Sequence, residues 1–233
     1  QKLPKTESHL HLEGACTVEL IEKAAPGKFK GAPPMWADEF RYDSFGQFME
    51  MYGEFCGLVF TSSEAYHACA TKILQDCADQ NCRYVETSFH LGALVGGSMT
   101  GPELIDAVLA ATPKNLEVRV FMGMCHDDYH GAQKEIIDDC VNWEQLTGID
   151  LHGPEDLPLE PWTAEVWSRA GKAGKFLKAH AGEFMPASFV RRCIEELGAQ
   201  RIQHGVRSIE DPSVVQLLVD QGIALDVCPI SNL

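Results

Sequence analysis

Seven short runs of mainly apolar residues occur along the chain, and helical periodicity fills the stretches between them. The runs are almost continuously apolar, without the clean alternation of a strand that has one face in water. This pattern is typical of parallel strands that are covered on both faces. The predicted strands are Thr6–Leu12, Arg83–Phe89, Glu117–Met124, Gly148–Leu151, Phe176–Ala179, Arg201–Gln203 and Ile223–Val227.

Start and stop signals of helices lie between these runs. The segments Thr61–Glu64 and Thr100–Glu103 have the spacing of a capping box, in which a hydroxyl and a carboxylate satisfy the first free amides of a helix. Asp211 and Pro212 predict a further helix start, and Gly222 predicts its end. Helices that alternate with strands in this way predict right-handed βαβ units and a parallel sheet.

The alternation predicts an α/β fold of the (β/α)8 TIM-barrel type. No linker-like Gly/Ser-rich or Pro-rich stretch divides the chain, so we expect a single domain over residues 1–233. A closed barrel of this type needs eight strand–helix units and typically about 250 residues. Because only seven units are recognisable, the expected domain is a barrel that is truncated before its eighth strand.

The composition is that of an ordinary globular protein, with 45% hydrophobic and 23% charged residues. No run of about 18 apolar residues occurs, so no membrane-spanning helix is expected. The N-terminal stretch also lacks the apolar core of a signal peptide. The nine cysteines include no Cys-x-x-Cys pair, which favours reduced thiols and a cytoplasmic location.

The formal net charge of −15 restricts the possible partners. A nucleic-acid backbone or an anionic membrane would be repelled by this charge unless a local basic patch attracted it. The basic stretch Lys172–Lys178 is short and interrupted by apolar residues. We therefore expect a small uncharged molecule as the substrate, with no nucleic acid and no membrane; the sequence makes no prediction of oligomeric state.

Two histidines, His9 and His11, are separated by one residue within the first predicted strand. Residues two apart on a strand point to the same face, so both imidazoles project together. Two neutral imidazoles on one face make half of a zinc site. The alternative is a pair of surface histidines.

Two further histidines follow predicted strands, at the end where barrel enzymes build their sites. His180 follows the fifth strand and has Glu183 just beyond it, and His204 follows the sixth strand. A histidine beside a carboxylate fits a metal ligand with a general acid or base. A structural histidine with a helix-capping glutamate is the alternative. Other histidines that follow strands and could line the same cavity are His90, His126 and His152.

Five motifs occur in an order that resembles the adenosine/adenine deaminase family of metal-dependent amidohydrolases, and the resemblance runs from Lys5 to the end of the chain. The motifs are His9-Leu-His-Leu-Glu-Gly14, Gly148-Ile-Asp-Leu-His-Gly-Pro-Glu155, His180-Ala-Gly-Glu183, Arg201-Ile-Gln-His-Gly205 and Val227-Cys-Pro-Ile-Ser-Asn232. The resemblance implies zinc-dependent hydrolytic deamination of a 6-aminopurine. Adenosine would give inosine, or adenine would give hypoxanthine, with release of ammonia.

The resemblance also implies roles for individual residues. It implies a single zinc ion with three ligands: His9, His11 and His180. Glu183 would protonate the purine ring nitrogen, and His204 would orient and deprotonate the water. Gly153 would contact the purine through its backbone N–H, and Glu13 would contact the sugar or a polar edge of the base.

One departure from the family pattern concerns the fourth zinc ligand. Family members supply an Asp after the eighth strand, followed by a second Asp that binds the purine, and this chain has no such segment. Asp226 lies inside the seventh predicted strand and is not expected to replace it. Two alternatives to a purine deaminase therefore stay open: another amidohydrolase, acting on amides or phosphoesters, and an inactive truncated barrel that only binds ligand.

Overall fold

The computed structural model describes residues 3–28, 31, 33–96 and 98–232. The chain divides into two compact units. The first consists of Gln1–Val85 and Gly96–Val118, and the second of Glu86–Val95 and Arg119–Leu233. No helix of the described residues is long and apolar enough to cross a membrane.

Seven strands follow one another in the sheet in the order of the chain. They are β1 (Lys5–His11), β2 (Cys82–His90), β3 (Glu117–Met124), β4 (Gly148–Leu151), β5 (Phe176–Ala181), β6 (Arg201–His204) and β7 (Ala224–Asp226). The helices are α1 (Val18–Ala24), α2 (Phe45–Val59), α3 (Ser63–Asp79), α4 (Gly101–Ala110), α5 (Gly131–Asp139), α6 (Pro161–Lys172), α7 (Ala187–Leu197) and α8 (Pro212–Gln221). The alternation confirms the predicted α/β class with seven strand–helix units.

The first unit is built mainly from helices that bury one apolar face. α3 and α4 pack on each other, and Tyr66, Leu74 and Leu104 are completely buried. The Thr100 hydroxyl accepts the Glu103 N–H while the Glu103 carboxylate accepts the Thr100 N–H, which confirms that capping box. The box predicted at Thr61–Glu64 is wrong by one residue. Ser62 caps α3 instead, because its hydroxyl reaches the N–H of Ala65.

In the second unit, β3 to β7 pair in parallel with their sequence neighbours. Gly148 of β4 lies between Phe121 and Phe176 in the register. A side chain there would not fit, because a Cβ atom at Gly148 would be 2.1 Å from the Phe176 carbonyl oxygen. The buried core of these strands consists of small and branched residues, including Ile149, Leu151, Ala179 and Ile202.

A buried ion cluster lies among the strands of the second unit. The Glu86 carboxylate is 2.5 Å from Lys178 Nζ and 2.7 Å from Arg201 Nη1. Lys178 is only 2% exposed, and its ammonium lies 4.1 Å from the centre of the Phe121 ring. These charges are tolerated in the interior because opposite charges and an aromatic face replace water around them.

Candidate active site

In the first unit, His9 and His11 lie at the carboxyl end of β1 with their rings converging. The two Nε2 atoms are 3.3 Å apart. Two ligand atoms bonded to one tetrahedral zinc ion at about 2.0–2.1 Å would be roughly 3.3–3.4 Å apart. The pair therefore has the separation that chelation of one metal ion requires, and its donor chemistry fits zinc.

Glu13 follows β1 directly and is buried, with 5% of its surface exposed. Its carboxylate accepts a hydrogen bond of 2.6 Å from the hydroxyl of Tyr66 on α3. Burial, and then the neighbouring Glu13 charge, raise the pKa of Tyr66 well above its usual value, so the phenol remains a donor. Tyr66 thus holds the Glu13 carboxylate in one orientation.

In the second unit, His180 lies near the carboxyl end of β5 and is held through its Nδ1 atom. This atom is 3.1 Å from the Leu151 carbonyl oxygen and 3.2 Å from Asp150 Oδ1. Two acceptors at Nδ1 assign the ring proton to that atom, which places the lone pair of the neutral ring on Nε2. Burial opposes the charged form of His180, but the Asp150 carboxylate outweighs burial and raises the pKa of the imidazole. A more basic imidazole is a stronger metal ligand.

Two groups of potential metal ligands lie within the second unit. In the group formed by Asp150, His152 and His180, one donor atom from each residue lies within 4.8 Å of the others, and all three residues are buried. Its donors are a carboxylate and two imidazoles, which suit zinc. Asp150 Oδ1 also lies 3.2 Å from His180 Nδ1, so the carboxylate can orient that imidazole as well.

The second group, formed by His90, Cys125 and Asp128, fits a metal ion poorly. The Gly92 N–H donates to His90 Nδ1 at 3.0 Å, so the proton of the neutral ring is on Nε2, the atom 3.3 Å from Cys125 Sγ. Burial raises the pKa of Cys125 well above its usual value, which opposes the thiolate that a metal needs. His90 and Cys125 therefore keep their protons and form a hydrogen-bonded cluster with the Asp128 carboxylate, which accepts the Cys125 N–H at 2.6 Å.

Glu183 and His204 face each other across the ends of β5 and β6. Glu183 Oε2 lies 3.3 Å from His204 Nε2. Burial raises the pKa of Glu183 to about 7, the nearby His180 lowers it in part, and Glu155 adds to the increase. Burial and then the charge of His180 lower the pKa of His204 to about 4. At neutral pH, a carboxylic acid that can donate a proton therefore lies beside a neutral imidazole that can accept one.

Glycines bring these two loops together. Gly182 and Gly205 have φ angles of 73° and 70°, in the left-handed region. A Cβ atom at Gly182 would lie 2.7 Å from Val190 and 3.4 Å from the Gly205 Cα atom. The Gly205 N–H also donates to the Ala181 carbonyl at 2.9 Å. The backbones can approach each other because neither glycine has a side chain.

The loop after β4 contains Gly153, which is half-buried, and His152, which precedes it. The His152 ring lies against Gly123 of β3, where a Cβ atom would be only 1.8 Å from the ring. Glu155 is the buried acid of this loop, and its carboxylate accepts three backbone N–H groups from residues 183–185. Sequence reasoning included Glu155 and Asp150 in a motif but gave neither a role.

The remaining histidines have structural surroundings. His126 is 1% exposed, stacks on Phe189 and has its Nδ1 atom 3.1 Å from the Leu157 carbonyl oxygen. His67 is an exposed residue of α3. Neither residue belongs to the metal-ligand groups found among the described residues.

Parallel strands that alternate with helices, with histidines and carboxylates at the strand ends, define a metal-dependent hydrolase of the amidohydrolase type. The chain belongs to the adenosine deaminase family, whose sequence model matches residues 4–233. The predicted family and enzyme class, a deaminase that hydrolyses cyclic amidine C–N bonds, are thereby confirmed.

Similar proteins agree with this family. An adenine deaminase of Streptomyces coelicolor is 28% identical over 242 residues, which cover 99% of this chain and 70% of that protein. The crystal structure of adenine deaminase from Arthrobacter aurescens has a TM-score of 0.84 at 23% identity, covering 97% of this chain and 72% of the other. The N6-methyl-AMP deaminase from Arabidopsis thaliana has a TM-score of 0.76 at 20% identity, covering 99% and 72%. These structural likenesses support the barrel-type fold.

Proposed function

We propose that the protein is a zinc-dependent deaminase of a 6-aminopurine, with adenine as the first substrate to test and adenosine as the second. The observation that carries this proposal is the pair Glu183 and His204, which are 3.3 Å apart with pKa values shifted in opposite directions. The naming of relatives such as the Streptomyces coelicolor protein as adenine deaminases favours the free base.

The proposed reaction replaces the C6–N bond of the purine by a C6–O bond. His204 takes a proton from the attacking water, and Glu183 donates a proton to N1, which gains negative charge as the ring is attacked. The amino group then takes up the proton held by His204 and leaves as ammonia. The C6 hydroxyl returns a proton to Glu183, and the product is the 6-oxopurine. Glu183 must be neutral before this step, which agrees with its pKa of about 7.

The proposed metal ligands are His9, His11 and His180, and their joint assignment comes from the sequence motifs. The 3.3 Å separation of the His9 and His11 Nε2 atoms and the anchoring of His180 through its Nδ1 atom each support a ligand role. When bound, zinc would act as a Lewis acid that lowers the pKa of water towards about 7. Asp150 and the Leu151 carbonyl would keep the His180 ring in the required tautomer.

Gly153 and Glu13 are the proposed substrate contacts. Gly153 would offer its backbone N–H to the purine, and Glu13 would accept a hydrogen bond from the base or a sugar. The hydrogen bond from Tyr66 supports this role for Glu13, because the Tyr66 hydroxyl holds the Glu13 carboxylate in one orientation.

A purine nucleotide is the second candidate substrate. The likeness to an N6-methyl-AMP deaminase favours it, whereas the net charge of −15 disfavours a phosphorylated substrate. A cytoplasmic location and a single barrel domain over residues 1–233 stay predictions.

The direct test is to incubate the purified chain with zinc and, separately, with adenine, adenosine, AMP and N6-methyl-AMP. Released ammonia or methylamine and the loss of the substrate absorbance report turnover. We expect turnover of adenine, its loss on chelation and its loss in Glu183→Gln. Turnover of no purine, or turnover that Glu183→Gln leaves intact, would reject the proposed function. Hydrolysis of amides or phosphoesters alone would favour another amidohydrolase.

A further inference from the structure

A single buried carboxylate accepts hydrogen bonds from three consecutive backbone N–H groups, which begin at the proposed proton donor, Glu183. Glu155 Oε1 accepts the Glu183 N–H at 3.1 Å, and Glu155 Oε2 accepts the N–H groups of Phe184 at 3.1 Å and Met185 at 2.7 Å. Glu155 is 3% exposed. Hydrogen bonds to an ionised acceptor are stronger than those between neutral groups, so this contact restrains the loop strongly.

The same loop is held from its other side by Arg207. The guanidinium of Arg207 donates to the Phe184 carbonyl, and its backbone N–H donates to the Gly182 carbonyl at 3.0 Å. The segment from Gly182 to Met185 connects β5 to α7 and lies outside both elements. Its backbone groups therefore need partners from other loops, and Glu155 and Arg207 supply them.

We propose that Glu155 is a positioning residue, which fixes the backbone beneath Glu183 and so holds the Glu183 carboxyl opposite His204. This inference rests on the proposed function in taking Glu183 as the proton donor. It also gives a role to Glu155, the last residue of the Gly148–Glu155 motif. Asp150 of β4 would orient His180 of β5, and Glu155 of the loop after β4 would orient Glu183 of the loop after β5.

The test compares Glu155→Gln with Asp156→Asn in the full chain. We call the three hydrogen bonds from residues 183–185 to Glu155 the Glu155 clamp. Asp156 is the exposed neighbour, so Asp156→Asn removes the same charge one residue further along and leaves the clamp unchanged. The glutamine in Glu155→Gln keeps the shape of the glutamate. Its NH2 group is a donor, however, and cannot accept a hydrogen bond from the backbone N–H groups of residues 183–185. We expect amide hydrogen exchange of residues 183–185 to accelerate about tenfold or more in Glu155→Gln and to stay unchanged in Asp156→Asn.

The effect on catalysis is measured as kcat and KM with adenine and zinc. In Glu155→Gln we expect kcat to fall about tenfold or more while KM changes little, because the proposed acid acts only as the ring is attacked. Asp156→Asn should leave both constants unchanged. Glu155→Asp keeps the carboxylate but shortens its reach, so its exchange rates and its kcat should lie between those of the wild type and Glu155→Gln. It also serves if Glu155→Gln does not fold.

Each outcome separates this inference from the proposed function. Unchanged exchange at residues 183–185 in Glu155→Gln would overturn the clamp even in a fully active deaminase. Faster exchange with an unchanged kcat would overturn the positioning of the Glu183 carboxyl. If the wild-type chain turned over no purine, the proposed function would fail, while exchange would still decide whether Glu155 holds residues 183–185.

Discussion

Glu183 Oε2 lies 3.3 Å from His204 Nε2, and burial moves the pKa values of these two groups in opposite directions. The pKa of Glu183 rises to about 7 and that of His204 falls to about 4. With ordinary pKa values, the imidazole would keep its proton to a higher pH than the carboxyl. Between about pH 4 and 7, the proton therefore remains on the carboxyl, and the roles of acid and base are divided between them.

The first prediction is that the rate of deamination falls as the pH rises through about 7. The active form of Glu183 is the protonated acid, and its raised pKa means that this form is lost as the pH exceeds about 7. The measurement is kcat against pH with saturating adenine and zinc. Glu183→Gln should lower kcat by about 10²–10⁴-fold. The exposed Glu165→Gln on α6 is the matched control, and an equal loss there would remove the assignment.

The second prediction concerns metal affinity. Asp150→Asn keeps the size of the side chain but removes the charge that supports His180 through its Nδ1 atom, at 3.2 Å. Zinc affinity should fall by about 10–100-fold. Competition with a chelator of known affinity measures the change, and Asp138→Asn, on the outer ion pair with Arg169, is the control. Unchanged affinity in Asp150→Asn would show that Asp150 does not support a metal ligand.

The third prediction is a steric coupling between Gly123 and His152. A Cβ atom at Gly123 would lie 1.8 Å from the His152 ring, so Gly123→Ala must displace the imidazole. We expect it to lower the free energy of unfolding by about 1–3 kcal/mol. His152→Ala should restore most of this loss in the double variant, because the space becomes available again. Denaturant titration of all four proteins completes the cycle, and simple additivity would contradict the contact.

The fourth prediction compares a buried ion cluster with an exposed ion pair. Glu86→Gln removes the negative charge that faces Lys178 and Arg201 and should destabilise the protein by about 3–5 kcal/mol. Glu195→Gln breaks an exposed ion pair on α7, in which Glu195 Oε1 lies 3.0 Å from Arg191 Nη1. This change should lower the free energy of unfolding by less than about 1 kcal/mol. Urea unfolding of both variants tests the contrast. Equal costs would mean that burial does not matter to the cluster.

Much of the fold could be predicted from the chain because its strands are buried on both faces and leave clear apolar runs. β3 and β4 have the predicted bounds, whereas β7 is Ala224–Asp226 rather than Ile223–Val227. The capping motif at Thr100 was predictable because both partners lie within one turn. At Ser62 the prediction failed by one residue, because three hydroxyl residues in a row offer equivalent caps.

The residues of the candidate site also fall into those that sequence position identifies and those that only the fold brings together. Residues that end strands, such as His180 and His204, could be identified because position on a strand determines direction. Tyr66 could be predicted only as a core residue, since its partner Glu13 lies far away in sequence and only the fold brings them together. The Glu155 clamp could not be predicted either, because the partners of Glu155 are backbone N–H groups, which the sequence does not distinguish from those of other residues.

The approach of Gly182 to Gly205 limits how these loops can change. Each position needs glycine for two separate reasons: a left-handed backbone, and a neighbour that a Cβ atom would meet at 2.7 Å for Gly182 and 2.6 Å for Gly205. A smaller residue in place of Val190 or Leu225 would relieve only the steric part, and the conformational cost of about 1–3 kcal/mol would remain. A single second-site change is therefore expected to compensate for only part of the effect of a substitution at either glycine, so the backbone that precedes Glu183 and follows His204 is constrained from both sides.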